Sequence, residues 1–399
     1  MIRWITDNLG TAPFLQTEES DEYCRVDVRS MVDRSGNSAK EIKVAVDTVL
    51  SGLKQGERVV VCCDHGISRS NAVAAGALSL LENLGYYDAL RIVINKTGEK
   101  EIRVEVAIAV MNAIGSKEMK LDENNWLILG GDGNIGKVVK NNAPSDKAIF
   151  SPDKNEVNLL DGSILLDMYI KENGIGRVLY FSSPYVTNIN TSLGESIVML
   201  KNVLDVCLSN ILPVLIVSRW EVFSGYKGRE EVFHEDVECR PDGVLGYTAF
   251  LCEEMALQYL KRDTFPVLIL RSALLYGKDF APNFVKYISS KAKSDEEIKL
   301  HKYENGYAKI DILHIDDWVS ACFSLLKKNV SGVFHVGGEV ISLHDVATTI
   351  IKMTDSKSTI QGIEINEEVA CIGLGSSKLR SITGWQTTKT FSDDIGGYL

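Results

Sequence analysis

"WLILGGDGNIGKVVKNN", residues 126–142, passes from an apolar strand through a glycine-rich turn into the start of a helix. Glycines at 130, 133 and 136 follow the strand directly, a spacing that lets the backbone turn tightly and approach a pyrophosphate at a helix N-terminus. The same spacing would serve a strand-to-helix turn with no ligand. Further apolar runs follow at "RVLYFSS", "LPVLIVS", "FPVLILRS" and "GVFHVGG". Helical patterns separate them, as in "ESIVMLKNVLDVCLSN", "YTAFLCEEMALQYLKR" and "IDDWVSACFSLLKK". Strands alternating with helices of this length predict a parallel, doubly wound sheet.

Upstream, residues 1 to about 115 form a second alternating set. "YCRVDVRS" and "ERVVVCC" read as strands, and "SAKEIKVAVDTVLSGL" as a helix with Ser38 as its N-cap. "SNAVAAGALSLLENL", "YDALRIVINKT" and "IRVEVAIAVMNAIG" read as three more helices. The polar stretch "SKEMKLDENN" interrupts the pattern. The expected organisation is therefore α/β throughout. A compact domain over 1–116 and a linker over 117–125 precede a Rossmann-type domain over 126–399.

A chain of 399 residues exceeds one ordinary core, which agrees with two domains. The net charge of −11 argues against a general nucleic-acid binder but permits a small basic pocket. No apolar run reaches membrane-span length, and "MIRWITDNLG" lacks the apolar segment of a signal peptide. The eight cysteines and six histidines show no metal-ligand spacing. Reduced thiols in a cytoplasmic protein without a metal are the expectation. The oligomeric state is not legible.

Within the first set, "RVVVCCDHGISRSNAVAAGAL" (58–78) again joins a strand to a helix through a turn. Such a loop aims several backbone N–H groups at one point, reinforced by the helix dipole. That field stabilises a thiolate at Cys63. Arg69 offers a planar fork for two phosphate oxygens, Gly66 lets the backbone bend, and Ser70 can hydrogen-bond the sulfur. Asp64, His65, Gly66, Ile67 and Ser68 complete the candidate phosphate loop, His65 adding positive charge when protonated. Without that context, a cysteine and an arginine at this spacing arise by chance, and cysteines are often inert core residues.

On these residues the first 115 positions resemble a compact dual-specificity phosphatase of the cysteine-dependent class. The signature H-C-x5-R-[S/T] stands here as "CCDHGISRS", with Cys62 in place of the histidine. "WITDNLGTAPF" resembles the family's opening strand and turn, and "YYDALRIVINKT" its helix after the signature helix. The resemblance implies a general acid in "MVDRSGNSAKEI", where Asp33 is the matching residue and Asp27 a rival inside the preceding strand. It implies a phosphocysteine mechanism on Cys63, Arg69, Asp33 and Ser70 that needs no cofactor. The phosphorylated substrate, protein or small molecule, stays open.

Residues from about 125 onward resemble the extended short-chain dehydrogenase/reductase superfamily, nearest its NAD-dependent epimerase/dehydratase and dTDP-4-dehydrorhamnose reductase group. After the glycine motif come "LYFSSPYV", "LIVSRWEVFSG", "GYTAFLCEEMAL", "LRSALLYGKD", "LHIDDWVSA", "FHVGGEVISLHDVA" and "SSKLRSITGWQ", in the family's order. The resemblance implies NAD or NADP at Gly130, Gly133, Asn134, Ile135 and Gly136, and a dinucleotide or nucleotide sugar as ligand. Tyr247 matches the family tyrosine, but Leu251 replaces the lysine four residues on. The Ser/Thr position falls on Arg219, with Ser218 one place early. Tyr247, Ser218 and Arg219 thus form a second candidate site, although Tyr247 reads equally as a packed aromatic. Asp153 matches the expected acidic residue only out of position. "GYKGREEVFHEDVECRPDG" (225–243) is either a loop closing on a sugar nucleotide or a solvated insertion.

The expected function is a cysteine-dependent phosphatase fused to a degenerate NAD(P)- or nucleotide-sugar-binding reductase-like domain. The alternative is a nucleotide-sugar epimerase or reductase carrying a phosphatase-like binding module. A third reading has both halves binding phosphorylated ligands without catalysis.

Overall fold

The computed structural model describes all residues except 19–20, 117–119, 183–188, 263–264, 279–281 and 399. Parts of the quoted "LYFSSPYV" and "LRSALLYGKD" segments, and residues 117–119 of the expected linker, therefore lie outside the described residues. By its internal contacts the chain forms two compact units. The first comprises Met1–Leu127, Pro152–Gly176 and Val198–Leu212; the second comprises Ile128–Ser151, Arg177–Ile197 and Pro213–Leu399. These bounds differ from the expected 1–116 and 126–399, because two later segments return to the first unit.

The first unit is built on a four-stranded sheet. Its strands are β1 (Arg3–Trp4), β2 (Leu9–Pro13), β3 (Cys24–Asp27) and β4 (Val59–Cys63), in the order β1-β2-β4-β3. Strand β4 runs parallel to both of its neighbours, and Pro13 lies opposite Cys63. All five residues of β4 are buried, which explains its unbroken apolar run. Around the sheet lie α1 (Ala39–Lys54), α2 (Arg69–Glu82), α3 (Tyr86–Thr97) and α4 (Val104–Ala113). Ser38 caps α1 as expected, its side chain accepting the Glu41 N–H at 3.4 Å. Helix α2 is buried from Arg69 to Ser79 and packs against α1, α3 and α4. Its small residues permit that approach on every side.

A six-stranded sheet forms the centre of the second unit, with residues 122–127 and 175–176 of two of its strands grouped with the first. Four of its strands are β5 (Asp122–Leu129), β6 (Ala148–Phe150), β7 (Ile175–Tyr180) and β8 (Val214–Arg219). Across the sheet the order is Gly332–Val336, Val267–Ser272, β8, β7, β5, β6, and the pairs from β7 to Gly332–Val336 are parallel. From β5 the chain crosses to β6 on one side and then to β7 on the other. That places a topological switch point at the carboxyl ends of β5 and β7, where open α/β sheets bind ligands. The Phe181 N–H donates to Leu129 O across it at 2.9 Å.

Two expectations need correction. Residues 122–125 are not linker but the first half of β5. The Asp122 N–H donates to Gly174 O at 2.8 Å, and the Asn125 amide to Asn173 O at 2.9 Å. Backbone pairing is indifferent to side-chain polarity, and the exposed Asp-Glu-Asn run concealed it. The 225–243 segment is likewise no mere solvated insertion, since Glu230–Phe233 pairs in parallel with Cys371–Leu374 and buries Phe233.

Candidate active site

Cys63 ends the central strand of the first unit, and α2 begins six residues later. Gly66 makes the intervening turn at φ +68, where a Cβ would also sit 2.5 Å from the β2 backbone at Ala12 and Pro13. Only glycine meets both demands. Two loop carbonyls are drawn outward: Gly66 O by the Arg3 guanidinium, and Ile67 O by the Asn71 amide at 2.7 Å. Peptide planarity then turns the Ile67 and Ser68 N–H groups the opposite way. Asn71 is itself held by Thr11 Oγ1 at 2.7 Å, and Arg3 by Glu99. Ser68 makes no cap bond to α2; its hydroxyl accepts the Arg103 N–H at 3.1 Å.

The Cys63 sulfur accepts the Gly66 N–H at 3.2 Å and faces Ser70 Oγ at 3.3 Å. Burial by itself would raise the thiol. The Ser70 hydroxyl and the N–H groups of Ser70, Gly66 and His65 outweigh it, and the Cys63 pKa is lowered. Cys62 behaves oppositely. It packs with Ala12 and Val60, lies 3.5 Å from Thr17 Oγ1, and burial pushes its thiol up. Successive strand residues face opposite sides, so Cys62 belongs to the core and Cys63 to the cleft.

Arg69 is only 9 % exposed. One terminal nitrogen donates to Met31 O at 2.8 Å and Arg29 O at 3.3 Å; the other pairs with Asp64. Its Nε is buried without a hydrogen-bond partner among the described residues. A donor stranded in this way is costly unless a ligand accepts from it. Arg69 also ties the phosphate loop to the loop bearing Asp33. Asp33, Cys63, His65, Ile67, Ser68 and Arg69 line one cleft of about 280 Å³. The rival acid Asp27 is held in a forked pair by Arg29, which keeps its carboxyl below the usual range. Arg3 and Arg103 were not singled out from the sequence, because their contacts to the loop span 63 and 35 residues, and Asn71 because its anchor Thr11 lies 60 residues away.

In the second unit Gly130 turns at φ +84, with the Phe181–Ser182 backbone against it. The Gly133 N–H donates to Gly130 O at 3.0 Å, and a Cβ on Gly136 would collide with that same oxygen. Gly133 then caps α5 (Asn134–Asn141) without any side-chain acceptor, which leaves the first-turn N–H groups for an anion. This turn at the switch point fits a dinucleotide pyrophosphate. Asp153 instead closes a local turn, accepting the Asn155 and Glu156 N–H groups at 2.6 and 3.1 Å.

Two of the expected catalytic groups of this unit, Ser218 and Arg219, have other partners. Ser218, buried at the end of β8, donates to Glu253. Glu253 also receives Arg271 through Nε at 3.0 Å and a terminal nitrogen at 2.7 Å. Arg271 continues to His335 Nε2 at 3.3 Å and to the Cys239 sulfur at 3.0 Å. Burial and the Arg271 charge press the His335 pKa to about 3, so the ring is neutral, with Nδ1–H facing Phe233 O. A buried pair of this kind is costly to break from one side. Arg219 stands 3.7 Å from Glu221. Tyr247 and Leu251, on α8 (Gly243–Lys261), are 50 % and 40 % exposed. Ser218 and Arg219 are thus adjacent, but neither hydroxyl nor guanidinium is committed to Tyr247. The buried Glu253 and Arg271 interrupt apolar runs in "FLCEEMAL" and "VLILRS", a signal that sequence reasoning passed over.

Residues 189–372 match the family model of the RmlD substrate binding domain. No curated protein matches the chain. Among solved structures, a dTDP-glucose 4,6-dehydratase from Bacillus anthracis in complex with NAD aligns at 19 % identity, covering 68 % of this chain and 94 % of that one, with a TM-score of 0.59. A hypothetical dTDP-4-dehydrorhamnose reductase from Sulfolobus tokodaii aligns at 18 % identity over 69 % and 99 %, with a TM-score of 0.56. A UDP-glucose 4-epimerase with UDP-glucose from Thermotoga maritima aligns at 16 % identity over 68 % and 96 %, with a TM-score of 0.59. The chain thus carries the Rossmann fold of those structures, and residues 189–372 resemble the RmlD substrate binding domain. These comparisons favour the nucleotide-sugar alternative. Among the described residues, no helix is long and apolar enough to cross a membrane.

Proposed function

We propose that the chain hydrolyses phosphate monoesters at Cys63, and that its second unit binds NAD(P) or a nucleotide sugar without standard redox chemistry. The first half rests on geometry alone. Its carrying observation is the lowered Cys63 thiol beside the unpartnered, buried Nε of Arg69 in one cleft. In the first step the Cys63 Sγ–P bond forms as the P–O bond to the leaving group breaks, and Asp33 gives that oxygen its proton. In the second, water attacks phosphorus, Asp33 takes a proton from it, and the Sγ–P bond breaks. The Ser70 hydroxyl steadies the departing thiolate. The loop N–H groups and Arg69 hold the charge of both transition states. The test is vanadate-sensitive release of p-nitrophenol from p-nitrophenyl phosphate; none above background would defeat the reading.

Asp64 occupies part of the Arg69 fork that a phosphate would grip. Its carboxylate is half exposed, so the contact is weak and displaceable. Asp64→Asn is therefore expected to lower KM for p-nitrophenyl phosphate about two- to fivefold with kcat nearly unchanged. A raised KM would mean that Asp64 aids binding instead.

A reductase or epimerase is the second reading, supported by the fold and the glycine turn. Gly130, Gly133, Asn134, Ile135 and Gly136 would hold the pyrophosphate, and NAD(P) would supply hydride transfer when bound. Against catalysis, Leu251 cannot act as the family's lysine, and Ser218 is engaged by Glu253. NADH or NADPH is expected to raise the melting temperature through linkage. Gly136→Ala should abolish that rise and cost about 1–3 kcal/mol by overpacking. A thermal shift that survives Gly136→Ala would place the nucleotide elsewhere.

A further inference from the structure

The Cys63 cleft has a second wall. Besides the phosphate loop it is lined by Leu160, Gly162, Ser163, Val198 and Asn202, which belong to the returning segments of the first unit. These segments are fastened to the loop before α4. Lys100 Nζ pairs with Asp161 at 2.7 Å, and Gly162 packs so closely on Lys100 that a Cβ would lie 2.8 Å from its carbonyl oxygen. Behind the wall, in α6 (Ile164–Glu172), Asp167 accepts the Tyr87 hydroxyl at 2.7 Å and the Asn210 amide at 2.6 Å. The wall is thus held by ion pairs and hydrogen bonds to α3 and to the 99–103 loop.

Such a wall limits what can reach Cys63. The cleft is partly open, and its volume of about 280 Å³ lies at the small end of small-molecule sites. An extended phosphopeptide would need an open groove or a free strand edge beyond its phosphate. Apart from the His65 imidazole, no aromatic ring lines the cleft among the described residues, so a phosphotyrosine ring finds no Phe, Tyr or Trp to stack on. Beside the apolar Ile102, Leu160 and Val198, the lining away from the loop carries the polar side chains of Glu101, Arg103, Ser163 and Asn202, the last fixed by its amide donating to Leu159 O at 2.8 Å.

Resting on the phosphatase reading above, we propose that the substrate is a small polyhydroxylated phosphate monoester of the sugar-phosphate class, with Asn202 and Ser163 as specificity-determining residues. The phosphate enters the Cys63 loop, and the hydroxyls meet the polar wall. A site built to bond hydroxyls discriminates strongly against ligands that lack them.

The experiment compares kcat/KM of the full chain for glucose 6-phosphate, ribose 5-phosphate and myo-inositol monophosphate with that for a phosphotyrosyl and a phosphoseryl peptide. p-Nitrophenyl phosphate serves as the reference. At least one sugar phosphate should exceed both peptides by about tenfold or more. Asn202→Ala should lower kcat/KM for that substrate about tenfold more than for p-nitrophenyl phosphate, mainly through KM. A general structural effect would lower both alike. Peptide turnover equal to or better than all three sugar phosphates overturns the substrate assignment and leaves the phosphatase reading standing. An unchanged ratio in Asn202→Ala removes the wall's role. No turnover of any monoester, the reference included, defeats the phosphatase reading itself.

Discussion

Cys63→Ser is expected to reduce hydrolysis of p-nitrophenyl phosphate to background while leaving the melting temperature nearly unchanged. Serine fits the space of the thiol and keeps contacts to the Gly66 N–H and Ser70 hydroxyl that the sulfur makes at 3.2 and 3.3 Å. What it loses is ionisability. The loop field that lowers a thiol cannot ionise an alcohol at neutral pH, so the nucleophile disappears while the cradle remains. The variant should therefore still bind tungstate, seen as a thermal shift, through Arg69 and the loop N–H groups. Equal turnover by both proteins would exclude a phosphocysteine route. The thiolate also sets a pH sign. Because the Cys63 pKa lies below its ordinary 9.0, alkylation by iodoacetate should fall as the pH drops through a midpoint below 9.0. A midpoint at or above that value would mean the burial penalty wins over the loop's hydrogen bonds.

The phosphate loop was legible because its chemistry is contiguous: nucleophile, turn glycine, arginine and serine fall within eight residues whose spacing is itself the geometry. The sheet strands were legible for a related reason. Both β4 and Val267–Ser272 are buried along their whole length; β4 reads as an unbroken apolar run and the other as one broken only at Arg271 and Ser272. What escaped was non-local or short. Asp122–Asn125 pairs through its backbone while presenting polar side chains, so composition pointed to a linker. The return of Pro152–Gly176 and Val198–Leu212 to the first unit depends on contacts such as Tyr87 to Asp167, 80 residues apart. No local periodicity encodes such a pairing. The strand at Glu230–Phe233 has four residues and two adjacent glutamates, too little for a period-two signal. In the second unit, the missing lysine at Leu251 was readable at once. That Ser218 is engaged by a buried Glu253–Arg271 pair was not, since the partners meet only in the folded sheet and helix.

Asp33→Asn is expected to lower kcat about 10²- to 10⁴-fold for phosphate esters with poor leaving groups, the usual contribution of a positioned general acid. Asp33 shares the cleft with Cys63 and Arg69. Arg69 steadies its loop by donating to the carbonyls of Arg29 and Met31, so the loop and the phosphate grip are one mechanical piece. An alkoxide cannot leave unprotonated, whereas p-nitrophenolate can, so the loss should be far smaller for p-nitrophenyl phosphate. KM should change little, since the acid acts on the departing oxygen rather than on the bound phosphate. Asp27→Asn is the control, because its carboxylate is already held by Arg29, and kcat should stay within about twofold. Equal losses for good and poor leaving groups in Asp33→Asn, or a larger loss in Asp27→Asn, would move the acid to another residue of the cleft, with Glu101 next in line.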